Sequence, residues 1–152
     1  MDKPGLPALA PMLANALGLA GLLPQVVALW ATRVEATRYV GLAAGYFYAA
    51  LILSFLGGIW WGIAASKPAA PRWLFVAAVV PSLVAFASGI PWMNGTTWPG
   101  PSLGWLGVAI GLTALVDWRL FRLELIDAGL FKLRVALSLG LGTLTLILAV
   151  AA

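Results

Sequence analysis

The sequence contains no cysteine and no histidine among its 152 residues. Because it has no thiols, no disulfide can form, and cysteine usage gives no information about the redox compartment. The chain also cannot ligate zinc, haem or an iron–sulfur cluster through thiolate or imidazole groups. Its three methionines are poor material for a metal site, so we expect no metal and no cofactor.

Charged residues are also scarce, at 9% of the chain, whereas soluble domains typically carry about 25%. Hydrophobic residues make up 62%, and the mean hydropathy is +1.01. So few charges could not cover the surface of a soluble globule, so we infer that a lipid bilayer is the solvent. The net charge of +4 does not indicate a nucleic-acid partner, because the basic residues lie between apolar runs, where they act as topology signals.

Long apolar runs dominate the rest of the sequence. A spanning helix needs roughly 20 mostly apolar residues. Five runs meet this requirement approximately, at residues 6–30, 39–65, 73–90, 103–118 and 135–151. We therefore predict an all-α membrane bundle of about five transmembrane helices, forming a single domain over residues 1–152. The first run could be a secretory signal peptide, but it exceeds a signal core of about 7–15 residues, so we expect it to be retained.

The distribution of lysine and arginine predicts an orientation, because cytoplasmic loops carry an excess of these residues. With the N-terminus in the cytoplasm, seven basic residues lie inside and two outside. The inner set is Lys3, Lys67, Arg72, Arg119, Arg122, Lys132 and Arg134, and the outer set is Arg33 and Arg38. We therefore expect a cytoplasmic N-terminus and an outer C-terminus.

Two segments between the predicted spans have contrasting compositions. Residues 89–102 carry no charge and include Trp92 and Trp98, which favours an aromatic belt at headgroup level over a partner-binding loop. Residues 119–134 mix basic, acidic and apolar side chains. This mixture fits either an interfacial amphipathic helix or an extension of the fourth helix, with Gly129 as the expected break.

The second predicted helix is rich in small residues. It contains two Gly-x-x-x-Gly pairs, Gly41/Gly45 and Gly58/Gly62, which let helix backbones approach closely in lipid. We expect this helix to be central, and such faces also suit self-association or contact with other membrane proteins. A candidate packing or ligand groove comprises Ser54, Gly57, Gly58, Trp61 and Gly62. In the simpler interpretation, the glycines are packing notches and Ser54 bonds its own backbone four residues earlier.

The first predicted helix adds two amide side chains to this candidate groove. Asn15 and Gln25 share one helical face, and Pro24 is expected to bend the helix near them. Polar amides in lipid normally face the bundle and bond a neighbouring helix. We therefore expect interhelical hydrogen bonds, with a ligand path as the alternative.

Asp117 is the one acidic residue inside a predicted span, and several arginines lie nearby in the sequence. We predict an interfacial charge pair between Asp117 and Arg134 that ties the fourth helix to the fifth. A proton relay is the alternative. Relay carboxylates normally lie deeper in the bundle, whereas this residue is near the cytoplasmic end of its helix.

The segment from Tyr48 to Gly62, with Ser-Phe-Leu-Gly-Gly at residues 54–58, resembles a family of small uncharacterised membrane proteins. That family includes bacterial members and the mitochondrial transmembrane protein 69. Further similarity lies at residues 81–83, at Asp117 and at residues 133–134. The family often carries histidine or another polar residue where this chain has Trp60. The resemblance implies an inner-membrane location and no established activity.

Two functions remain in view. The first is a non-enzymatic accessory or assembly component of an inner-membrane complex, favoured by close-packing faces and by the lack of a nucleophile–base pair. The second is binding or transport of an apolar molecule, such as a lipid or quinone, in a slot between helices. We expect such a slot to be lined by Tyr46, Trp60, Trp61, Asn15 and Gln25. No spacing of residues indicates an enzyme, and we expect none.

Overall fold

A computed structural model describes residues 9–96 and 98–152, and these residues are almost entirely helical. The helices are α1 (Leu9–Ala20), α2 (Leu23–Ala31), α3 (Glu35–Ser66), α4 (Trp73–Ser88), α5 (Ile90–Met93), α6 (Gly100–Arg122) and α7 (Ala128–Val150). Five helical stretches are long and apolar enough to cross a membrane: Met12–Ala31, Glu35–Ser66, Trp73–Met93, Gly100–Arg122 and Ala128–Val150. The predicted all-α bundle of five spanning helices is confirmed.

The first span consists of two helices, α1 and α2, that meet at residues 21–22. Pro24 has no backbone N–H to donate to the carbonyl of Ala20, and it lies in the first turn of α2, where this donor is not needed. The predicted bend therefore takes the form of a break just before Pro24. The Tyr48 hydroxyl donates a hydrogen bond to the carbonyl of Gly21 at this break, which ties it to α3. Residues 6–8 of the predicted span lie outside the described residues.

The fourth and fifth spans are longer than their apolar runs and take up most of residues 119–134. This segment forms the end of α6, a turn at residues 123–127 and the start of α7. It is therefore not an interfacial helix, and the expected break at Gly129 is wrong. The chain reverses instead at Glu124, whose φ is +56°. Asp127 then caps α7, because its Oδ1 accepts a hydrogen bond from the Leu130 N–H at 2.9 Å. This bond lowers the pKa of Asp127 from the usual 3.8.

Close helix contacts at glycines hold the spans together. A Cβ on Gly142 of α7 would lie 2.9 Å from the carbonyl oxygen of Gly107 in α6, so both backbones need the small residue. A Cβ on Gly41 of α3 would lie 2.7 Å from the carbonyl oxygen of Ala28 in α2. The central position predicted for the second span agrees with the packing of α3 against α2, α4, α6 and α7.

Basic side chains show which helix ends lie together. The Lys67 Nζ donates to the carbonyl of Leu125 at 2.6 Å, which joins the α3–α4 connection to the α6–α7 turn. At the other end, Arg38 donates to the carbonyl of Ala151 at 2.7 Å. The first end carries the exposed residues Lys67, Arg72, Arg119, Arg122 and Lys132, and the second end carries Arg33 and Arg38. We refer to the first as the basic end of the bundle.

Aromatic rings pack together at the end that carries Arg38. The Trp92 and Trp98 rings stack with centroids 5.2 Å apart, and Tyr46 meets Trp98 edge to face at 5.5 Å. The Tyr46 and Ser88 hydroxyl oxygens are 3.1 Å apart, which joins α3 to α4. Trp98 therefore packs against α3 through Tyr46, and Trp92 keeps 45% of its surface exposed.

Candidate functional site

Three polar side chains from three helices meet inside the basic end of the bundle. Asp117 of α6 is fully buried, and Arg134 of α7 is 4% exposed. The Arg134 Nε donates to the Asp117 Oδ1 at 2.8 Å, and Nη2 lies at the same distance from this oxygen. The two residues named from the sequence contact each other and join α6 to α7. Their contact is buried inside the bundle, however, and does not lie at the membrane interface.

Trp60 of α3 completes this cluster. Its indole Nε1 donates to the same oxygen, Asp117 Oδ1, at 2.8 Å, and the side chain is 3% exposed. One carboxylate oxygen therefore joins α3, α6 and α7. We call Trp60, Asp117 and Arg134 the Trp–Asp–Arg cluster.

Local sequence explains why the cluster is buried. Asp117 lies five residues before the end of α6 at Arg122, or about 7.5 Å along the helix axis. The apolar side chains of Leu120, Leu125 and Ile126 are buried in one cluster with Trp60. The α6–α7 turn thus shields the ion pair from water, which strengthens its electrostatic attraction.

The hydrogen bonding of the cluster is incomplete within the described residues. Asp117 Oδ2 is buried and accepts no hydrogen bond, and Arg134 Nη2 is buried without a partner that meets hydrogen-bond geometry. Its short distance to Asp117 Oδ1 is therefore an electrostatic contact. The cluster holds one carboxylate, and the described residues contain no group of three acidic side chains able to hold a metal ion.

A cavity of about 420 Å³ adjoins Arg134 between α1, α3 and α7. Its walls are mostly apolar, and its polar groups include Arg134, Ser138 and Tyr48. The Ser138 hydroxyl is 2.9 Å from that of Thr113 in α6. This cavity lies against Tyr48 and Arg134. Of the residues expected to line one slot, Trp60 borders a separate cavity of about 290 Å³ between α3, α4 and α6, and Tyr46 borders another of about 360 Å³, so the expected residues do not line a common slot.

The two amides of the first span have different environments. Gln25 is fully buried, and its Nε2 donates to the Thr145 Oγ1 of α7 at 3.1 Å. Asn15 is exposed, so its predicted placement facing the bundle is wrong. The break at Gly21 interrupts the helix between the two residues, and a rotation of 100° per residue does not carry across it.

The groove residues proposed on α3 do not form one site. Gly57 is buried, and a Cβ there would overlap the carbonyl oxygen of Ala78 in α4. Gly58, Trp61 and Gly62 face outward, and Trp61 is 50% exposed. The half-buried Ser54 makes no side-chain hydrogen bond among the described residues, so the expected bond to its own backbone is not found.

Sequence reasoning missed the role of Trp60. The buried side chains of α3, apart from its glycines, recur every three or four residues: Leu42, Tyr46, Ala49, Leu53, Leu56, Trp60 and Ala64. This spacing is the signal that could have found Trp60, because it places the indole on the same face as Tyr46.

Comparison with known proteins agrees with this architecture. Residues 10–150 match the family described as "Protein of unknown function (DUF3429)". The chain belongs to this family. A stretch of 81 residues is 44% identical to Transmembrane protein 69 of Xenopus tropicalis, covering 51% of this chain and 32% of that protein. This member of the family therefore spans about a third of the length of that curated relative. No solved structure matches the chain.

These matches confirm the family resemblance drawn from residues 48–62. Together with the five spanning helices, they establish a multi-pass membrane protein with an uncharacterised domain. Neither the family description nor the name of the relative gives an activity, a substrate or a partner.

Proposed function

We propose that the protein is a non-enzymatic accessory or assembly component of an inner-membrane complex. The observation that carries this proposal is the outer face of α3 around Gly58 and Gly62. A Cβ built on either glycine meets no atom of the described residues within 4 Å. The Gly-x-x-x-Gly pair therefore does not serve packing within the described bundle, and it is open to another helix.

The outer face fits a helix partner for physical reasons. In lipid, apolar area alone does not drive helix association, so close backbone contact over small residues becomes important. Trp61 lies between the two glycines in sequence and is 50% exposed, and its ring meets Phe75 edge to face at 5.1 Å. The notch is thus bordered by a large, braced aromatic surface of the kind that interfaces favour.

The buried polar groups support a structural rather than a catalytic role. Asp117 and Arg134 contact each other, and Gln25 bonds Thr145. These side chains join helices of the same bundle. Among the described residues that these contacts bring together, no nucleophilic side chain lies beside a base.

Lateral association can be tested by filling the notch. Gly58→Leu and Gly62→Leu add side chains where the described residues leave space, so the fold should tolerate them. Gly104→Leu is the matched control, because it also meets open space but lies on α6. Proteins that co-purify in mild detergent are identified by mass spectrometry.

We expect the α3 variants to lose co-purifying membrane proteins, or self-association, and the α6 control to keep them. A wild-type chain that runs alone, without any membrane protein attached, would contradict the proposal. Equal loss in the control would show that the α3 face is not the interface.

We further propose a bacterial inner-membrane location with the N-terminus in the cytoplasm. The support is the larger number of lysines and arginines at the basic end. The absence of cysteine makes this testable with single-cysteine variants. In intact cells, a membrane-impermeant maleimide should label Asn94→Cys. It should label Glu124→Cys only after permeabilisation. The reverse pattern would contradict the orientation.

A second candidate function is the binding of an apolar small molecule. The specific observation is the cavity of about 420 Å³ between α1, α3 and α7. This volume lies in the range of about 300–1,000 Å³ typical of small-molecule sites. Saturable binding of an alkyl compound within this cavity would support it, and its absence would rule it out.

A further inference from the structure

A buried arginine with unused donors borders the cavity between α1, α3 and α7. A guanidinium carries five N–H donors. Among the described residues, Arg134 makes one hydrogen bond, from Nε to Asp117, although the residue is only 4% exposed. A buried donor without a partner is costly, so an acceptor that reaches this guanidinium from the cavity would be stabilised.

The charge beside the arginine limits what that acceptor can be. Asp117 is fully buried and neutralises Arg134 at 2.8 Å, so the pair offers no net positive charge. An anion would lose its hydration on entering and would meet the buried Asp117 carboxylate as well. An uncharged oxygen acceptor, such as a carbonyl, accepts from the guanidinium without this electrostatic cost.

The walls of the cavity define the rest of the ligand. Leu17, Leu133 and Leu137 lie along it, so an alkyl or isoprenoid chain fits better than a polar body. Leu17 lines the cavity and is also 65% exposed, which indicates that the cavity communicates with the surrounding lipid. A ligand can therefore enter sideways from the bilayer with its chain still in an apolar medium.

We propose that the cavity binds an uncharged amphiphile whose carbonyl oxygen accepts a hydrogen bond from Arg134 and whose apolar chain lies between α1, α3 and α7. Esters and alkylquinones belong to this chemical class. The proposal rests on the second candidate function and adds the identity of the headgroup and of its protein partner.

Three photoreactive probes with the same diazirine-bearing alkyl chain test the headgroup. They end in a methyl ester, a methyl ether or a free carboxylate. The full chain is purified in dodecyl maltoside, a detergent that contains no carbonyl group. Saturable labelling of α1 and α7 peptides is measured by mass spectrometry. We expect the ester to half-saturate at a concentration about tenfold below that of the ether, the equivalent of about 1.4 kcal/mol.

Two sets of variants locate the contact. The double variant Asp117→Asn/Arg134→Met removes both charges without leaving either unpaired, and it should abolish the advantage of the ester. Ala14→Phe fills the cavity from α1 and should prevent saturable labelling. Ala16→Phe is its matched control, because Ala16 is exposed on the same helix outside the cavity lining, and it should label like wild type. Circular dichroism checks that each variant is folded.

The possible failures are distinguishable. Equal half-saturation by ester and ether would overturn the headgroup assignment while leaving apolar binding intact. Tighter binding of the carboxylate would overturn the choice of an uncharged ligand. Absence of saturable labelling by all three probes would remove the second candidate function, and the inference with it.

Discussion

Neutralising Asp117 should strongly destabilise the bundle. Asp117→Asn retains an oxygen that can accept from both Trp60 and Arg134, but it removes the counter-charge of a guanidinium that is 4% exposed. Breaking a buried ion pair by removing one partner typically costs about 3–5 kcal/mol. Interhelical hydrogen bonds in a membrane protein average only about 0.6 kcal/mol, so two of them would account for about 1 kcal/mol. The size of the loss therefore separates an unpaired charge from a weakened hydrogen bond.

The measurement is a double-mutant cycle in mild detergent. Wild type, Asp117→Asn, Arg134→Met and the double variant are unfolded by titration with sodium dodecyl sulfate and followed by far-ultraviolet circular dichroism. We expect each single variant to lose about 3 kcal/mol and the double variant to lose less than the sum, because neither charge is then left alone. Leu112→Met, on the exposed face of α6, is the control and should change little. Strict additivity, or an Asp117→Asn variant as stable as wild type, would refute the reasoning.

Three further predictions use the same unfolding measurement. Gly57→Ala should clearly destabilise the bundle, because its Cβ would overlap the carbonyl of Ala78. Gly58→Ala should leave the stability almost unchanged, because its Cβ meets no described atom. Equal losses of stability in the two variants would contradict this packing. The stability gap between wild type and Asp127→Ala should be present near neutral pH. Because the Leu130 N–H lowers the folded pKa of Asp127, the gap should begin to narrow near the usual 3.8 and should be lost as pH falls through the lowered folded pKa; a gap that does not change with pH would contradict a contribution from the ionised cap. Gln25→Leu should cost less than about 1 kcal/mol, because it removes one hydrogen bond together with a buried, unpaired Oε1; a loss above 2 kcal/mol would contradict this.

Hydropathy was sufficient to find the five spans because the bilayer sets a minimum apolar length. It did not find their ends, since polar residues at the basic end continue the helices. Arg119 and Arg122 are helical and exposed beyond the apolar run, and Asp127 starts α7 by capping it. Cap geometry and the positive φ of Glu124 decide the turn, and neither affects mean hydropathy.

The candidate site was only partly predictable from the sequence. Asp117 and Arg134 were recognisable because opposite charges in adjacent spans need each other in lipid. The third member, Trp60, was not, because tryptophan in a membrane segment indicates an aromatic belt more often than a buried donor. Gly58 and Gly62 look identical to packing glycines in sequence, and only the neighbouring helices show that no described atom covers them.

The polar side chains along α7 have a consequence for the register of this helix. Arg134, Ser138 and Thr145 each meet a partner on another helix, at successive depths: Asp117, Thr113 and Gln25. Sliding α7 by one helical turn would displace every one of these groups by about 5.4 Å, beyond hydrogen-bond reach of its partner. The same slip would also separate Gly142 from its close contact with Gly107 in α6. The three polar contacts lie at three different depths, and together they therefore fix the position of the last span along its own axis.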